Sequence, residues 1–314
     1  MSVLIVGSVA IDHIRTPYKE EQNLLGGSAA YASVASSFFS PVNFVGIVGE
    51  DFPEKYRNLL ASRSISLEGL QVEKGKTFRW SGAYYDDMNR RKSISTDFNV
   101  SHDFTPPALP ESYRYTKYVL LANSTPTLQH WTLDQVKAPA FVVANTMDFW
   151  IRSARQALLS LLMRVDMLIV NESEAKELTG VTNLIRAGYI ILALGPQFVV
   201  LNKGEHGTLL FSKNAFFSCS AYPLETICDP TGAGDTFAGG LIGYVASNNN
   251  YCCERKNPSE ITFETLRLAV VYGTILASFN VESFSVSRLC SLTWLDIEKR
   301  YRLFHSFSKF GQSF

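Results

Sequence analysis

Several things are scarce in this chain of 314 residues, and each scarcity excludes a class. Charge of one sign is never in excess: Lys+Arg and Asp+Glu are both 29, for a formal net charge of zero. A chain without a basic surplus is not built to bind nucleic acid or an anionic membrane surface. Its basic run, Asn89-Arg90-Arg91-Lys92, is short enough to read as a solvated turn. Cysteine is sparse and badly spaced, at 219, 228, 252, 253 and 290, with no CxxC. That excludes a disulfide framework and a zinc knuckle, and a reducing cytoplasm is the expected compartment. Long apolar runs are missing too. The opening MSVLIVGSVAIDHI has no basic lead and too short an apolar stretch for a signal peptide or a membrane helix. The two common nucleotide loops are also missing. The Gly75-Lys76-Thr77 run has Leu70 where a P-loop needs its first glycine, and at Gly232 a dinucleotide fingerprint fails on Phe237.

What is present is a regular alternation. Residues 2–7, 42–51, 117–123, 141–146, 166–171 and 197–204 are short apolar runs of strand character. Between them lie helical stretches such as 26–39, 52–65 and 154–165. Apolar strands alternating with helices predict a mostly parallel sheet covered on both faces, with ligands beyond the carboxyl ends of the strands. Asn123, Asn145, Asn171 and Asn202 then line one rim. Residues 70–104 break the pattern. There, aromatic and β-branched residues alternate with polar ones around a turn at 86–89, which predicts an appended β-hairpin. Residues 104–110 are the expected linker back.

The densest chemistry is in Asp229-Pro-Thr-Gly-Ala-Gly-Asp235, which runs into an apolar helix. Successive small residues let backbone amides converge into an anion hole. The helix start adds roughly half a positive charge. A carboxylate beside such a hole suits phosphoryl transfer to an alcohol, where Asp235 accepts the hydroxyl proton. Taken alone, the short GxGD pattern leaves open that Asp235 only complements the helix dipole.

The longer stretch 229–242, DPTGAGDTFAGGLI, resembles the C-terminal signature of the pfkB, or ribokinase-like, family of carbohydrate kinases. The resemblance extends over about residues 3–290. It implies a three-layer α/β/α fold with a central, mostly parallel sheet and a small β-sheet lid. The large domain is expected over 1–11, 25–69 and 105–314, and the lid over 12–24 and 70–104. It implies Asp235 as catalytic base, with Gly232, Ala233 and Gly234 as the anion hole and Asp229 beside a monovalent-cation site such as one for K⁺. Asn171 and Glu174 resemble the family's N-x-x-E stretch, which lies near the triphosphate and its Mg²⁺, with Glu174 acting through water. Asn202, Lys203 and Gly204 are implied to meet ATP, and Ala277 and Asn280 to lie beside the adenine. At the other end Asp12, Gly26, Gly27 and Ser28 match the substrate site. Many sugar-specific relatives have Asn where this chain has Tyr31, which leaves the acceptor open. Lid aromatics Phe78, Trp80, Tyr84 and Tyr85 are available to substrate, to one another or to a second lid in a homodimer. The expectation is therefore an ATP- and Mg²⁺-dependent kinase of a sugar primary hydroxyl. A nucleoside kinase on the same fold is the alternative, and a non-catalytic sugar-binding regulator the more distant one.

Overall fold

The structure is a computed structural model that describes residues 1–102, 108–248 and 261–307. Cys252, Cys253 and most of the expected linker at 104–110 lie outside the described residues. In chain order the elements are β1 (Val3–Val6), β2 (Ala10–Arg15), β3 (Glu20–Gly26), α1 (Ser28–Ser36), β4 (Val42–Gly49), α2 (Glu54–Ala61), β5 (Ile65–Glu73), β6 (Phe78–Tyr84), β7 (Arg91–Asp97), β8 (Tyr118–Leu121), α3 (Pro126–Gln135) and β9 (Phe141–Asn145). Then follow α4 (Asp148–Ser153), α5 (Arg155–Leu162), β10 (Met167–Asn171), α6 (Glu172–Thr179), α7 (Leu184–Leu192), β11 (Phe198–Asn202), β12 (Thr208–Ser212), β13 (Phe216–Cys219), α8 (Ala233–Asn248), α9 (Phe263–Asn280), α10 (Ser287–Ser291) and α11 (Trp294–Phe307).

The central sheet has nine strands in the order β13-β12-β11-β10-β9-β8-β1-β4-β5. From β11 to β5 all neighbours are parallel, while β12 and β13 close one edge antiparallel. Strand β1 shows why both faces are covered. Val3 and Ile5 enter one core cluster with residues of α1, α8 and α9, whereas Leu4 and Val6 enter the other with α5, α6 and α7. Period-two alternation thus feeds two apolar layers, giving the α/β/α sandwich that the alternating pattern predicts.

On the first face small residues bring helices together. Every residue of α1 is buried. A Cβ on Gly239 of α8 would stand 2.1 Å from the Ala32 carbonyl oxygen, so the α1 and α8 backbones touch at this point. This contact holds α8, which begins just after Gly232, against α1.

The small sheet is β3-β2-β6-β7. Its bounds differ from those expected. Leu70 to Glu73 belong to β5 and pair with β4 in the large sheet, so the second lid segment starts at Phe78. The apolar-polar alternation of 70–73 reads the same on either sheet, and only the pairing partner separates them. Asp51 ties the two sheets at this joint. One carboxylate oxygen accepts from the Thr77 amide (2.6 Å) and hydroxyl (2.7 Å), and the other from Arg79 (2.9 Å).

Candidate active site

The residues of Gly232–Asp235 form a partition between two cavities. Gly232 and Asp235 face a cavity of about 450 Å³ between the lid and the strand ends. Ala233 and Gly234 face a second cavity of about 460 Å³ on the other side. The turn that permits this needs glycine at 232. Its φ is +75°, and a Cβ there would stand 2.4 Å from the Tyr31 ring. Among the described residues no backbone acceptor meets the amides of Gly232, Gly234 or Asp235. They are free donors at the N-terminus of a 16-residue helix.

Two buried side chains hold the partition. Asp229, fully buried, accepts from the Thr231 amide (2.9 Å) and, more weakly, the Ser285 amide (3.4 Å). Asn280, also fully buried, donates to the Thr231 carbonyl (2.8 Å) and accepts from the Thr236 hydroxyl (3.2 Å). This corrects the expectation that Asn280 lies beside an adenine. Both of its polar atoms are spent under the loop, and it lines neither cavity.

The first cavity collects the charged groups. Asp12 on β2 is 4% exposed, and burial together with Asp229 and Asp235 pushes it up to about 8 despite Arg91. Its place depends on Gly26, where a Cβ would fall 1.9 Å from the carboxylate Oδ2. Asp235 is pushed up to about 6 by burial and held from rising further by Arg91. Gly27, Ser28 and Tyr31 also line this cavity. The Ser28 hydroxyl bonds the Ser8 amide (3.1 Å) and the Asn123 carbonyl (2.9 Å), locking the start of α1 to the strand ends. Tyr31 sits mainly behind Gly232, with its hydroxyl buried and unpartnered among the described residues.

Arg91 is the functional candidate that the sequence reading passed over. It lies on β7 opposite Tyr84 of β6, lines the first cavity, and stacks over Trp80 at 5.2 Å. The neighbouring Arg90 does behave as a turn residue, pairing with Asp87 at 2.6 Å. The available signal was parity: Arg91 shares a strand face with the lid aromatics, and Arg90 does not. Phe149 and Trp150 were missed for another reason. They open α4 just past β9, at the rim where such sheets bind ligands, and the Trp150 indole donates to the Asn123 side chain at 3.1 Å.

The lid aromatics divide. Phe78 and Trp80 face the first cavity. Tyr84 spans to the partition, its hydroxyl 3.0 Å from that of Thr231. Tyr85 is exposed beneath Arg90.

Asn202, Gly204 and Ala277 line the second cavity, and Lys203 does not. Asn202 is held by the Thr208 hydroxyl at 2.8 Å. Asn171 lines neither cavity: its side chain caps α6 by accepting from the Glu174 amide (2.9 Å), while Glu174 Oε2 accepts from the Asn171 amide (2.8 Å). This capping box is one outcome of an N-x-x-E spacing. Glu174 is nevertheless pushed up to about 7, chiefly by burial and then by Asp148 and Asp235, against the Asn171 amide and Arg91.

The signature that makes the partition has counterparts elsewhere. The family of pfkB carbohydrate kinases matches residues 1–292. The chain belongs to the pfkB family. This pfkB kinase is 30% identical over 251 residues to a cytidine kinase of Thermococcus kodakarensis, covering 78% of the chain and 88% of that relative. A nucleoside kinase of Methanothermobacter thermautotrophicus is 25% identical over 272 residues, with 81% and 85% covered. The fold matches a Vibrio cholerae fructokinase solved with fructose, ADP and calcium ion (TM-score 0.77, 18% identity, 96% and 98% covered). It also matches a Burkholderia thailandensis nucleoside kinase solved with inosine (TM-score 0.73, 16% identity, 97% and 99% covered). The pfkB kinase is therefore a ribokinase-fold phosphotransferase with an alcohol acceptor, acting on a sugar or a nucleoside. No described helix is long and apolar enough to cross a membrane.

Proposed function

We propose that this kinase phosphorylates the primary hydroxyl of a nucleoside, with ATP in the second cavity. The observation that carries the acceptor is the aromatic wall of the first. On the lid side Phe78 stacks on Phe98 (5.6 Å, 9°), beside Trp80. On the rim side Phe149 meets Trp150 edge-on at 4.7 Å. Aromatic rings on two opposite walls suit a flat base, which can stack on either side, better than a sugar ring alone. Asp12 remains for ribose hydroxyls. Two curated relatives are kinases of a nucleoside, which supports the same acceptor.

In the reaction, the acceptor hydroxyl gives its proton to the Asp235 carboxylate while its oxygen forms a bond to the γ-phosphorus. The bond from that phosphorus to the β-phosphate oxygen breaks, and ADP leaves. The amides of Gly232, Gly234 and Asp235 face the charge that grows on the transferring phosphoryl group. Arg91, carried on the lid, brings a positive charge to the same place and keeps Asp235 ionised near neutrality. Glu174 fits a hydrated Mg²⁺: its carboxylate is desolvated, only Oε2 is engaged within the chain, and hard cations of this size keep most of their waters. A Mg²⁺ held there would supply neutralisation of phosphate charge. Asp229 is so fully committed to Thr231 and Ser285 that a monovalent cation beside it would rely on nearby carbonyls as well.

Initial rates with ATP over nucleosides, pentoses, hexoses and fructose phosphates test this reading. A nucleoside is expected to exceed every sugar in kcat/KM by roughly tenfold to a hundredfold, the range for one base stacked on an aromatic ring. A sugar turned over faster than any nucleoside would overturn the acceptor assignment. No turnover of any alcohol would favour a binding protein.

A further inference from the structure

The family match ends at residue 292, and α11 begins at Trp294. This helix nonetheless backs the wall of the second cavity through Arg300, whose side chain is only 14% exposed. Two cavity-lining residues on different elements meet it. Ser278 of α9 accepts from the guanidinium at 3.0 Å, and Tyr222 of the loop after β13 lies beneath it at 4.7 Å. The opposite support is firm. Glu282 pairs with Arg300 at 2.5 Å and with Arg288 at 2.9 Å, and the guanidinium lies 3.4 Å over the Phe279 ring. Phe304 and Phe307 of the same helix pack on Tyr222, at 5.8 and 6.2 Å between ring centroids.

We infer that Arg300 is a positioning residue for the nucleotide: one planar guanidinium bridges the helix wall and the loop wall of the second cavity and so sets the gap between them. The inference rests on the reading of that cavity as the ATP site. Arginine suits the task because a rigid, flat cation can stack on two rings and donate in its plane, which an ammonium cannot do. Nothing on α11 approaches the first cavity. The effect of Arg300 is therefore confined to one substrate.

The test is calorimetric titration of the full chain with ATP, together with KM for ATP and for the acceptor. In R300M, which keeps length and apolar packing, the ATP dissociation constant is expected to rise roughly tenfold, about 1.4 kcal/mol. R300K is expected to restore it only in part. Acceptor KM should stay within about twofold, a split that general loss of stability would not give. E282Q leaves every cavity-lining side chain in place and frees the guanidinium, so it should weaken ATP in the same direction by a few-fold. It decides the matter if R300M does not fold. R302M, altering an exposed pair with Glu298, should change nothing. Unchanged ATP affinity in the folded variants, or equal losses for both substrates, would overturn the inference. A wild-type chain that binds no ATP would instead overturn the reading of the cavity on which it rests.

Discussion

The two cavities that flank Gly232–Asp235 are close in volume, about 450 and 460 Å³, and opposite in chemistry. The first gathers Asp12, Asp235 and Arg91 among aromatic rings. The second has Glu205 as its one carboxylate and neither Lys nor Arg among its lining residues. Size therefore does not tell the two substrates apart. The difference lies in where desolvated charge is kept. Carboxylates pushed up to about 8 and about 6 suit hydroxyl donors and a proton transfer. A cavity without such desolvated carboxylates, opening on free backbone amides and a helix N-terminus, suits a phosphate held away from them. The partition lets one short loop serve both sides.

Breaking the partition itself should have the largest effect. In G232A the new methyl must enter the Tyr31 ring, and the residue must hold φ at +75°. Loss of one preorganised donor typically lowers kcat by about 10²–10³, and that range is expected here, with a lower melting temperature as a second readout. Stripping the positive charge from the acceptor side should do less. R91M is expected to lower kcat/KM about tenfold at pH 8, as for one exposed-to-partly-buried charge contact. It should also move the acid limb of the pH profile, set near 6 by Asp235, to higher pH, because Arg91 holds that group down. An acid limb that stays put would separate Arg91 from the base.

Making the two sides more alike should cost activity and add stability. Asp12 binds a proton in the folded chain up to about pH 8, while its ordinary value is 3.8. Wild-type stability should therefore fall as pH rises from about 4 to 8, since the unfolded chain has released that proton. D12N carries no such penalty. Its melting temperature should match or exceed the wild type's most clearly at pH 8, and the gap should close toward pH 4. Acceptor KM should rise at the same time, and ATP affinity should not change.

The sheet, its parallel order and the lid hairpin were legible because strands and turns announce themselves by period and punctuation. Gly232–Asp235 stood out less by itself: the short pattern left a helix-dipole role open for Asp235, and only the longer stretch 229–242 singled it out. What escaped depended on packing or on a pattern that was passed over. Leu70–Glu73 could pair on either sheet. Asn280 looked like a ligand because it ends a helix near the site, and only the folded packing turns both of its polar atoms toward Thr231 and Thr236. Arg91 was hidden in a basic run whose neighbour, Arg90, is the solvated turn residue the whole run resembled. Phe149 and Trp150 lie just past the strand end that 141–146 already marked, so their place on the rim was legible and was passed over.

The central claim is that Asp235 serves the acceptor cavity while the loop beside it serves the nucleotide. D235N tests it most directly, with kcat and the ATP dissociation constant measured on one preparation. The account predicts a kcat lower by roughly 10²–10⁴ and an ATP affinity within about twofold of wild type. A kcat near the wild-type value, or a loss of ATP binding as large as the loss of rate, would contradict it.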